Sequence, residues 1–199
     1  MRNKGACRWR GKGPTRLAIR VPIHIALLAS LFVAATSHAS RAEDRNTLEY
    51  AVKATFVYKF APFVTWPGAA PGNGAFPICV SGSDHVSPLI AVAVRGQEID
   101  GHPITVRQVT SAEGIEGCSI LYVATSNLQD ARALLSAARG KPVLTITDGG
   151  DSVHGIIAFH VMDGHVRFDI DEDLATESKL TISSKLLQLA NTVTPRPQP

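Results

Sequence analysis

The hydrophobic positions of this chain follow two different periods, and the longer period predicts an amphipathic helix over residues 46–61. Within this segment large apolar residues recur four apart and form one stripe. The stripe consists of Leu48, Val52, Phe56 and Phe60. Asn46 is the predicted N-cap, and Pro62 is expected to end the helix because its ring cannot continue one.

Short apolar runs bounded by turn residues predict a set of buried strands. The runs cover residues 77–81, 104–109, 119–124 and 143–147. Helical segments at 84–94 and 127–139 separate them, and this alternation is typical of βαβ units. The pattern predicts one α/β domain over residues 46–193, with a mostly parallel sheet, an antiparallel C-terminal hairpin and helices on both faces.

The shorter period, a strict alternation of two, predicts that hairpin. Asp163-Gly164 separates two alternating runs between Ile156 and Ile170, which is a strong signal for a two-residue turn. The predicted register pairs Met162 with His165, His160 with Arg167 and Ala158 with Asp169. One face is then wholly apolar and carries Ile157, Phe159, Val161, Val166, Phe168 and Ile170.

A last helix is predicted to begin after the acidic residues Asp171 to Asp173 and to end near Val193. Negative charge there suits the positive end of a helix dipole. Ser183 and Ser184 sit poorly in a helix interior, so a later start at either serine is the alternative. The proline-rich segment 194–199 is predicted to be a disordered tail.

Residues 1–39 have the composition of a cleaved signal peptide. They contain seven basic and no acidic residues, and an apolar run at 23–35 follows the basic part. This run is shorter than the roughly 20 apolar residues that span a bilayer, so an uncleaved anchor is the less favoured interpretation. The sequence before Ala39 fits the small-x-small cleavage pattern, and Ala42 is the second choice for the cut. The chain is therefore predicted to be exported.

Export changes what the remaining charges and cysteines imply. Without the leader the chain carries 13 basic and 17 acidic residues, a net charge near −4 that argues against nucleic acid and anionic membranes as partners. Cys79 and Cys118 form an even pair in an oxidising compartment, which favours a disulfide over two buried thiols. One pair is too few for a structural zinc site, and its spacing excludes a redox CxxC motif.

The signals for enzymatic chemistry are weak. The chain has no GxSxG, HExxH, GxGxxG, P-loop or CxxC motif. His160, His165 and Asp169 share the polar face of the predicted hairpin, but their spacing is not a standard set of metal ligands, and a solvated face is the simpler interpretation. Arg167 is expected to form an ion pair, with Asp169 as a partner on the same face.

Eight short segments follow one another in a specific order after the leader. They are Ala51–Pro67 (AVKATFVYKFAPFVTWP), Ile78–Gly82 (ICVSG), Gly101–Val106, Cys118–Val123 (CSILYV), Thr145–Asp148, Gly155–Phe159, Val166–Ile170 (VRFDI) and Ile182–Ala190 (ISSKLLQLA). Their joint order resembles the YfiR-like family of periplasmic proteins, and the match runs from about Tyr50 to Asn191, almost the whole chain after the leader. The structural motif residues within them are Gly155, Arg167, Phe168, Ser183 and Ser184.

The resemblance implies a regulatory function without catalysis. The best-understood family members restrain an inner-membrane diguanylate cyclase, an enzyme of cyclic-di-GMP signalling, by binding its periplasmic part. An outer-membrane lipoprotein with a peptidoglycan-binding domain sequesters the regulator, and members tend to form homodimers. Cys79 and Cys118 match a family disulfide pair, whereas a second pair of some members has no counterpart between Thr147 and Gly155. We expect no cofactor, no metal and no catalytic residue.

A regulatory binding protein is therefore the favoured function. Its candidate partner-binding residues are Tyr58, Lys59, Phe63 and Trp66. Tyr58 and Lys59 lie off the predicted apolar stripe, which favours contact with a partner. Phe63 and Trp66 belong to an aromatic cluster that also suits a core position.

The alternative is a periplasmic small-ligand sensor or solute-binding module. Its pocket is predicted at the carboxyl ends of the strands, where open α/β sheets bind ligands. The segments concerned are 82–85, 125–127 and 148–151. Asp148 also suits an ordinary turn before Gly149-Gly150, and an unrecognised hydrolase is a third possibility.

Overall fold

Most helices form where the periodicity predicts them. The computed structural model describes residues 46–68, 74–82, 85–148 and 152–196, so the predicted signal peptide 1–39 lies outside the described residues. The α-helices are α1 (46–59), α2 (Val86–Ala93), α3 (Leu128–Ala138), α4 (Glu172–Glu177) and α5 (Ser184–Leu187), and two 3-10 helices cover Ala61–Phe63 and Ala112–Ile115. None of the described helices has the length and hydropathy needed to cross a bilayer.

Specific residues mark the ends of α1 and α3. Asn127 caps α3, because its side-chain oxygen accepts hydrogen bonds from the backbone N–H groups of Gln129 and Asp130. Pro62 ends the regular helix α1, and the chain continues as a 3-10 turn. Asn46 is already helical, so its predicted role as the N-cap is wrong.

The apolar runs become strands of one mixed sheet. The strands are β1 (Val64–Thr65), β2 (Phe76–Gly82), β3 (Glu98–Ile99), β4 (His102–Gln108), β5 (Ile120–Ala124), β6 (Leu144–Asp148), β7 (Ile157–Met162), β8 (His165–Asp171), β9 (Thr181–Ile182) and β10 (Val193–Thr194). The sheet order is β10-β8-β7-β6-β5-β2-β4-β3, and β1 pairs separately with β9. The neighbouring strands β4 and β2, β2 and β5, β5 and β6, and β6 and β7 pair in parallel. The pairs of β7 with β8 and of β3 with β4 are antiparallel. The described residues lie in one compact unit, so the predicted α/β fold with a mostly parallel sheet is confirmed.

The hairpin forms with the predicted register. β7 and β8 pair as Met162 with His165, His160 with Arg167 and Ala158 with Asp169. Asp163 and Gly164 both have positive φ, 52° and 74°, as a two-residue turn of type I′ requires. The apolar face is only partly core, because Val161 near the turn is 47% exposed while Phe159 and Phe168 are buried.

Helices cover the sheet on both faces and enclose two separate cores. Alternate residues of β5 divide between them, with Ile120 and Tyr122 on one side and Leu121 and Val123 on the other. We call the side that packs against α1, α2, α4 and α5 the first-helix face. The side that packs against α3 is called the bridge face.

The bridge face contains the predicted disulfide. β2 and β5 are neighbours, and the bond joins Cys79 of β2 to Cys118, which precedes β5. Their Cα atoms lie 5.8 Å apart, within the range that a disulfide spans. Arg107 of β4 holds the loop before Cys118 by donating hydrogen bonds to the carbonyl oxygens of Gly114 and Glu116. The predicted cysteine pair is confirmed.

The buried side of α1 is rotated from the predicted stripe. Leu48 is 66% exposed and Val52 is half-buried. The first buried residue of the helix is the one after Val52. The buried positions are Lys53, Ala54, Val57, Tyr58 and Phe60. The prediction failed because it counted only large apolar residues, and this face includes a small alanine and a lysine that two carboxylates neutralise.

The C-terminal segment departs most from the prediction. Residues 171–193 form the short helices α4 and α5 with strand β9 between them, and not one long helix. The break falls at Lys179, whose φ of 58° lies in the left-handed region, and the chain then extends so that β9 pairs with β1. The alternative start is confirmed, because the hydroxyl of Ser183 caps α5.

The sheet also includes part of the predicted tail. β10 contains Thr194 and pairs in parallel with the end of β8. Arg196 follows it and forms an ion pair with Glu172 of α4 at 3.3 Å. The predicted disordered tail 194–199 therefore starts too early, and residues 197–199 lie outside the described residues.

Candidate functional site

The structure brings two of the four predicted partner-binding residues into one groove. Lys59 and Phe63 line an open groove of about 270 Å³ between α1 and the hairpin, whereas Tyr58 and Trp66 do not line it. We call it the aromatic groove, and its lining residues are Phe56, Lys59, Phe60, Phe63, Val166, Arg167, Phe168, Leu186 and Leu189. The motif residues Arg167 and Phe168 thus lie beside the first helix.

Aromatic rings from three elements form the floor of this groove. Phe60 contacts Phe168 of β8 edge to face, with 5.0 Å between ring centroids, and Phe159 of β7 lies 5.8 Å from Phe60. Phe56 is half-buried and lies 6.3 Å from both strand rings. These tilted and edge-to-face contacts fix the shape of the floor. Leu189, another lining residue, remains 67% exposed.

The charged side chains of the groove are both cations. Lys59 and Arg167 are exposed, and neither forms an ion pair within the part of the chain that the structure describes. The expected ion pair between Arg167 and Asp169 is wrong. Asp169 instead lies 3.5 Å from His160 Nδ1 and accepts a hydrogen bond from the side chain of Asn191. The groove therefore presents apolar surface with unpaired positive charge beside it.

Tyr58 and Trp66 occupy other parts of the molecule. Tyr58 is 8% exposed, so the prediction that it lies off the buried stripe is wrong, and its ring instead lies 5.0 Å beneath Lys59 Nζ in a cation–π contact. Trp66 is half-buried and meets Phe76 edge to face at 5.4 Å. It lines a second cavity, of about 390 Å³. Its Nε1 is buried and has no hydrogen-bond partner among the described residues.

A buried ionic network lies on the first-helix face near the carboxyl ends of the strands. Lys53 is 4% exposed, and its Nζ lies 2.5 Å from Glu49 Oε1 and 2.7 Å from Asp148 Oδ1. The second carboxylate oxygen of Asp148 accepts a hydrogen bond of 2.7 Å from the Tyr122 hydroxyl. The network therefore ties α1 to β5 and β6.

Burial and charge act on the proton affinities in this network. Burial alone would lower the pKa of Lys53, but the hydrogen bonds to Asp148 and Glu49 outweigh it and raise that pKa above its ordinary value. Burial and then the charge of Asp148 raise the pKa of Tyr122 far above the ordinary value. Lys53 is thus a cation and Tyr122 a neutral donor near neutral pH, and neither group titrates there.

The sequence patterns did not identify this network. Asp148 was considered as a turn or ligand residue, and it is instead bound by two side chains of the chain itself. Lys53 gave one usable signal, because it follows Glu49 by one helical turn and lies among residues that face the core. Its other partner lies 95 residues away, which no local pattern reveals.

The small-ligand pocket predicted at the carboxyl ends of the strands is only partly described. Residues 83–84 and 149–151 lie outside the described residues. Of the others, Asn127 caps α3 and the His85 ring stacks on Tyr50 at 5.6 Å. Together with Asp148 in the network, these polar groups bind other parts of the chain.

The remaining motif residues bind to the fold itself. Gly155 approaches β6 so closely that a Cβ atom would lie 2.8 Å from the carbonyl oxygen of Thr145. Its backbone N–H donates to Thr147 Oγ1 at 3.2 Å. Ser183 caps α5, and Ser184 is the first residue of that helix.

The polar face of the hairpin was the one candidate for metal ligands. Within the described ranges no three His, Cys, Asp or Glu side chains converge as metal ligands do. His165 Nδ1 lies 2.9 Å from the carbonyl oxygen of Asp163, and His160 faces Asp169. Both imidazoles therefore contact neighbours within the hairpin.

Of three comparisons with known proteins, one identifies a family. A family model described as YfiR/HmsC-like matches residues 50–191. No curated protein sequence matches the chain. Among solved structures, a similar chain is the ABC domain in complex with L-Trp from Streptococcus pneumonia, with 11% sequence identity and a TM-score of 0.49. That similarity covers 71% of the present chain and 62% of the other.

Proposed function

Because the chain belongs to the YfiR/HmsC-like family, we propose that it restrains an inner-membrane diguanylate cyclase by binding the periplasmic part of that enzyme. The family consists of periplasmic, non-catalytic regulators of diguanylate cyclase signalling. The observation that carries the proposal is the family match over residues 50–191, which spans the hairpin and most of α1. The aromatic groove lies between these two elements and supplies a surface for the partner.

We assign the partner contact to the groove end of α1. Lys59 is exposed and unpaired by any carboxylate in the described ranges, and Phe63 is half-buried beside it. Tyr58 contributes indirectly, because its buried ring lies beneath the Lys59 ammonium group. Trp66 lines a separate cavity, and we propose that it contacts the partner outside the groove. Binding hot spots are enriched in aromatic residues such as tryptophan and tyrosine.

Further features of the family are proposed for this chain as well. We propose that residues 1–39 direct export and are cleaved, and that the mature protein forms a homodimer. An outer-membrane lipoprotein with a peptidoglycan-binding domain is the proposed second partner. The protein is proposed to turn over no substrate and to carry no cofactor.

The test is the cellular concentration of cyclic-di-GMP in the native host. Deleting the gene should raise that concentration, and expressing the wild-type chain should restore it. The variant Lys59→Glu/Phe63→Ala should accumulate in the periplasm at the wild-type level and yet fail to restore it. Lys141→Glu is the matched control, because Lys141 is an exposed lysine in the loop after α3, and it should restore the wild-type level.

Two outcomes would contradict this proposal. An unchanged cyclic-di-GMP concentration after deletion would exclude a role in restraining a cyclase under the conditions tested. A small molecule that co-purifies with the chain, together with that unchanged concentration, would favour the sensor instead. Full activity of Lys59→Glu/Phe63→Ala would leave the regulatory function in place but exclude the groove end of α1 as the contact.

A further inference from the structure

Strand β8 has an open edge beside the aromatic groove. Its partner β10 pairs only with Ile170 and Asp171, at one end of the strand. The Phe168 carbonyl and the Ile170 N–H point toward β10, since they bond Asn191 N–H and the Thr192 carbonyl at 2.8 and 2.9 Å. Alternate residues of a strand direct their backbone groups to the same side.

Three backbone groups at this edge therefore lack a partner strand. Val166 N–H and C=O and Phe168 N–H point the same way as the bonded groups of Phe168 and Ile170. None of the three has a hydrogen-bond partner among the described residues. Proteins usually cover or disrupt such an edge, because unpaired strand groups bind any extended chain that reaches them.

The same residues that form the edge also line the aromatic groove. The side chains of Val166 and Phe168 lie on the apolar face of the hairpin, next to Phe56 and Phe63 of the first-helix region. A strand that paired with this edge would direct alternate side chains to that face, because side chains alternate along a strand. Every second side chain of the added strand would then enter the groove.

The intervening side chains of an added strand would meet positive charge. Arg167 projects from β8 on the other face of the hairpin, and Lys59 lines the groove from α1. Neither has a carboxylate partner within the described ranges. A second copy of this chain fits poorly, because antiparallel pairing of two β8 edges would bring Arg167 next to Arg167 or His165 of the copy. Acidic side chains on the same face as Arg167 fit its unpaired charge.

We infer that the open edge of β8 takes one short extended segment of a partner protein, in which apolar residues alternate with acidic ones. The backbone of that segment pairs with Val166 and Phe168, its apolar side chains enter the aromatic groove, and its carboxylates face Arg167 on the other face of the hairpin. This mode of binding is β-strand addition. It deepens the proposed function by stating the chemistry of the partner segment, and it rests on that function only for the identity of the partner.

The test uses a capped ten-residue peptide of alternating valine and glutamate as the probe. We expect it to bind the mature protein and to slow amide hydrogen exchange at Val166 and Phe168 by at least about tenfold. A peptide with lysine in place of glutamate should bind about tenfold more weakly or not at all. A peptide N-methylated at every second residue should not bind, since it lacks the donors for the edge.

Two protein variants locate the binding site. Val166→Pro removes one edge N–H, and proline is tolerated where a strand N–H faces solvent, so the variant should fold and lose peptide binding. Arg167→Glu should lose binding of the glutamate peptide. Arg132→Glu is the matched control, because Arg132 is an exposed arginine of α3, and it should bind as the wild type does.

The results of the peptide assay test the inference independently of the proposed cyclase function. Failure of the glutamate peptide to bind, or equal binding by the N-methylated peptide, overturns the inference even if Val166→Pro proves unstable. A wild-type dimer that Val166→Pro converts to monomers would make the edge an interface between copies and also overturn it. The peptide assay contains no cyclase, so its failure leaves the cyclic-di-GMP result intact, and the reverse holds as well.

Discussion

The two faces of the central sheet are stabilised in different ways. Among the described residues, the first-helix face buries 26 in one cluster beneath four helices, and the bridge face buries ten. The smaller core contributes less hydrophobic free energy, because that term scales with the apolar area removed from water. The Cys79–Cys118 bond lies in the smaller core. The covalent link therefore reinforces the face on which apolar packing is weaker.

The first-helix face also carries the groove proposed for partner binding. The middle of α1 is fixed to the sheet by Lys53 and its two carboxylate partners. The end of α1 around Lys59 lies beside the open aromatic groove and the unpaired edge of β8. The ionic network and the proposed partner contact therefore lie on different turns of one helix.

The largest effect is expected from removing the disulfide. Cys79→Ala/Cys118→Ala should lower the free energy of unfolding by about 4 kcal/mol, because a link between residues 39 apart restricts the unfolded chain by roughly that amount. Urea unfolding of the oxidised wild type and of the variant measures the difference. A loss below about 1 kcal/mol would mean that the apolar core of the bridge face suffices without the bond.

A somewhat smaller loss is expected when α1 is released from the sheet. Lys53→Met removes a buried cation and leaves Asp148 and Glu49 without it, which should cost about 2 to 3 kcal/mol. Both carboxylates retain some contact with solvent, which keeps the loss below that of a fully buried pair. Urea unfolding again gives the value.

The control for this variant lies less than two turns further along the same helix. Lys59→Met replaces an exposed lysine, so its effect on the free energy of unfolding should stay within about 0.5 kcal/mol. Equal losses in the two variants would mean that the ionic network does not fasten α1. The first-helix face would then depend on apolar packing alone.

Local signals explain which parts of the fold the sequence predicts. The hairpin and its register were predicted because Asp163-Gly164 and the alternation of two are both short-range. The parallel strands were predicted because continuous apolar runs between helices leave few other arrangements. The prediction of one long last helix was wrong, because Leu180, Ile182 and Leu186 suit a strand and a short helix equally well. The pairing of β9 with distant β1 decides between them.

The candidate site depends on contacts that are distant in sequence. Phe63 was named from its aromatic neighbourhood, but the groove exists only because the hairpin brings Phe168 and Arg167 beside it. Tyr58 was misplaced because the buried stripe of α1 turned out to be rotated by one residue. The open edge of β8 was not foreseen, since the short length of β10 follows from tertiary packing.

A third prediction concerns the polar end of the bridge face, where threonines of β6 replace apolar residues. Thr145 Oγ1 and Thr147 Oγ1 accept hydrogen bonds from the backbone N–H groups of Ile156 and Gly155. Gly155→Ala should cost about 2 kcal/mol, because the new methyl group collides with the Thr145 carbonyl. Gly114→Ala on the same face meets only ordinary contacts and should change stability little. Thermal unfolding compares the two variants.

The smallest expected effect comes from removing the Tyr122 hydroxyl. Because the ionic network titrates and apolar packing does not, the pH dependence of the free energy of unfolding distinguishes the two. Tyr122→Phe removes one hydrogen bond to Asp148 and should cost about 1 kcal/mol at neutral pH. The pKa of Tyr122 is raised in the folded protein above its ordinary value of 10.0, so the unfolded chain loses this proton first as the pH rises. Wild-type stability should therefore hold up to about pH 10 and fall beyond it.

The raised pKa of Lys53 acts in the same direction above its ordinary value of 10.5, so both groups stabilise the fold at lower pH and lose that contribution at higher pH. Urea unfolding between about pH 8 and 11.5 should show a shallower decline for Tyr122→Phe, by up to about 1.4 kcal/mol per pH unit for the one proton removed. Parallel curves for the variant and the wild type would mean that Tyr122 keeps its ordinary pKa in the fold. The pH dependence of the first-helix face would then come from Lys53 and its two carboxylate partners, without Tyr122.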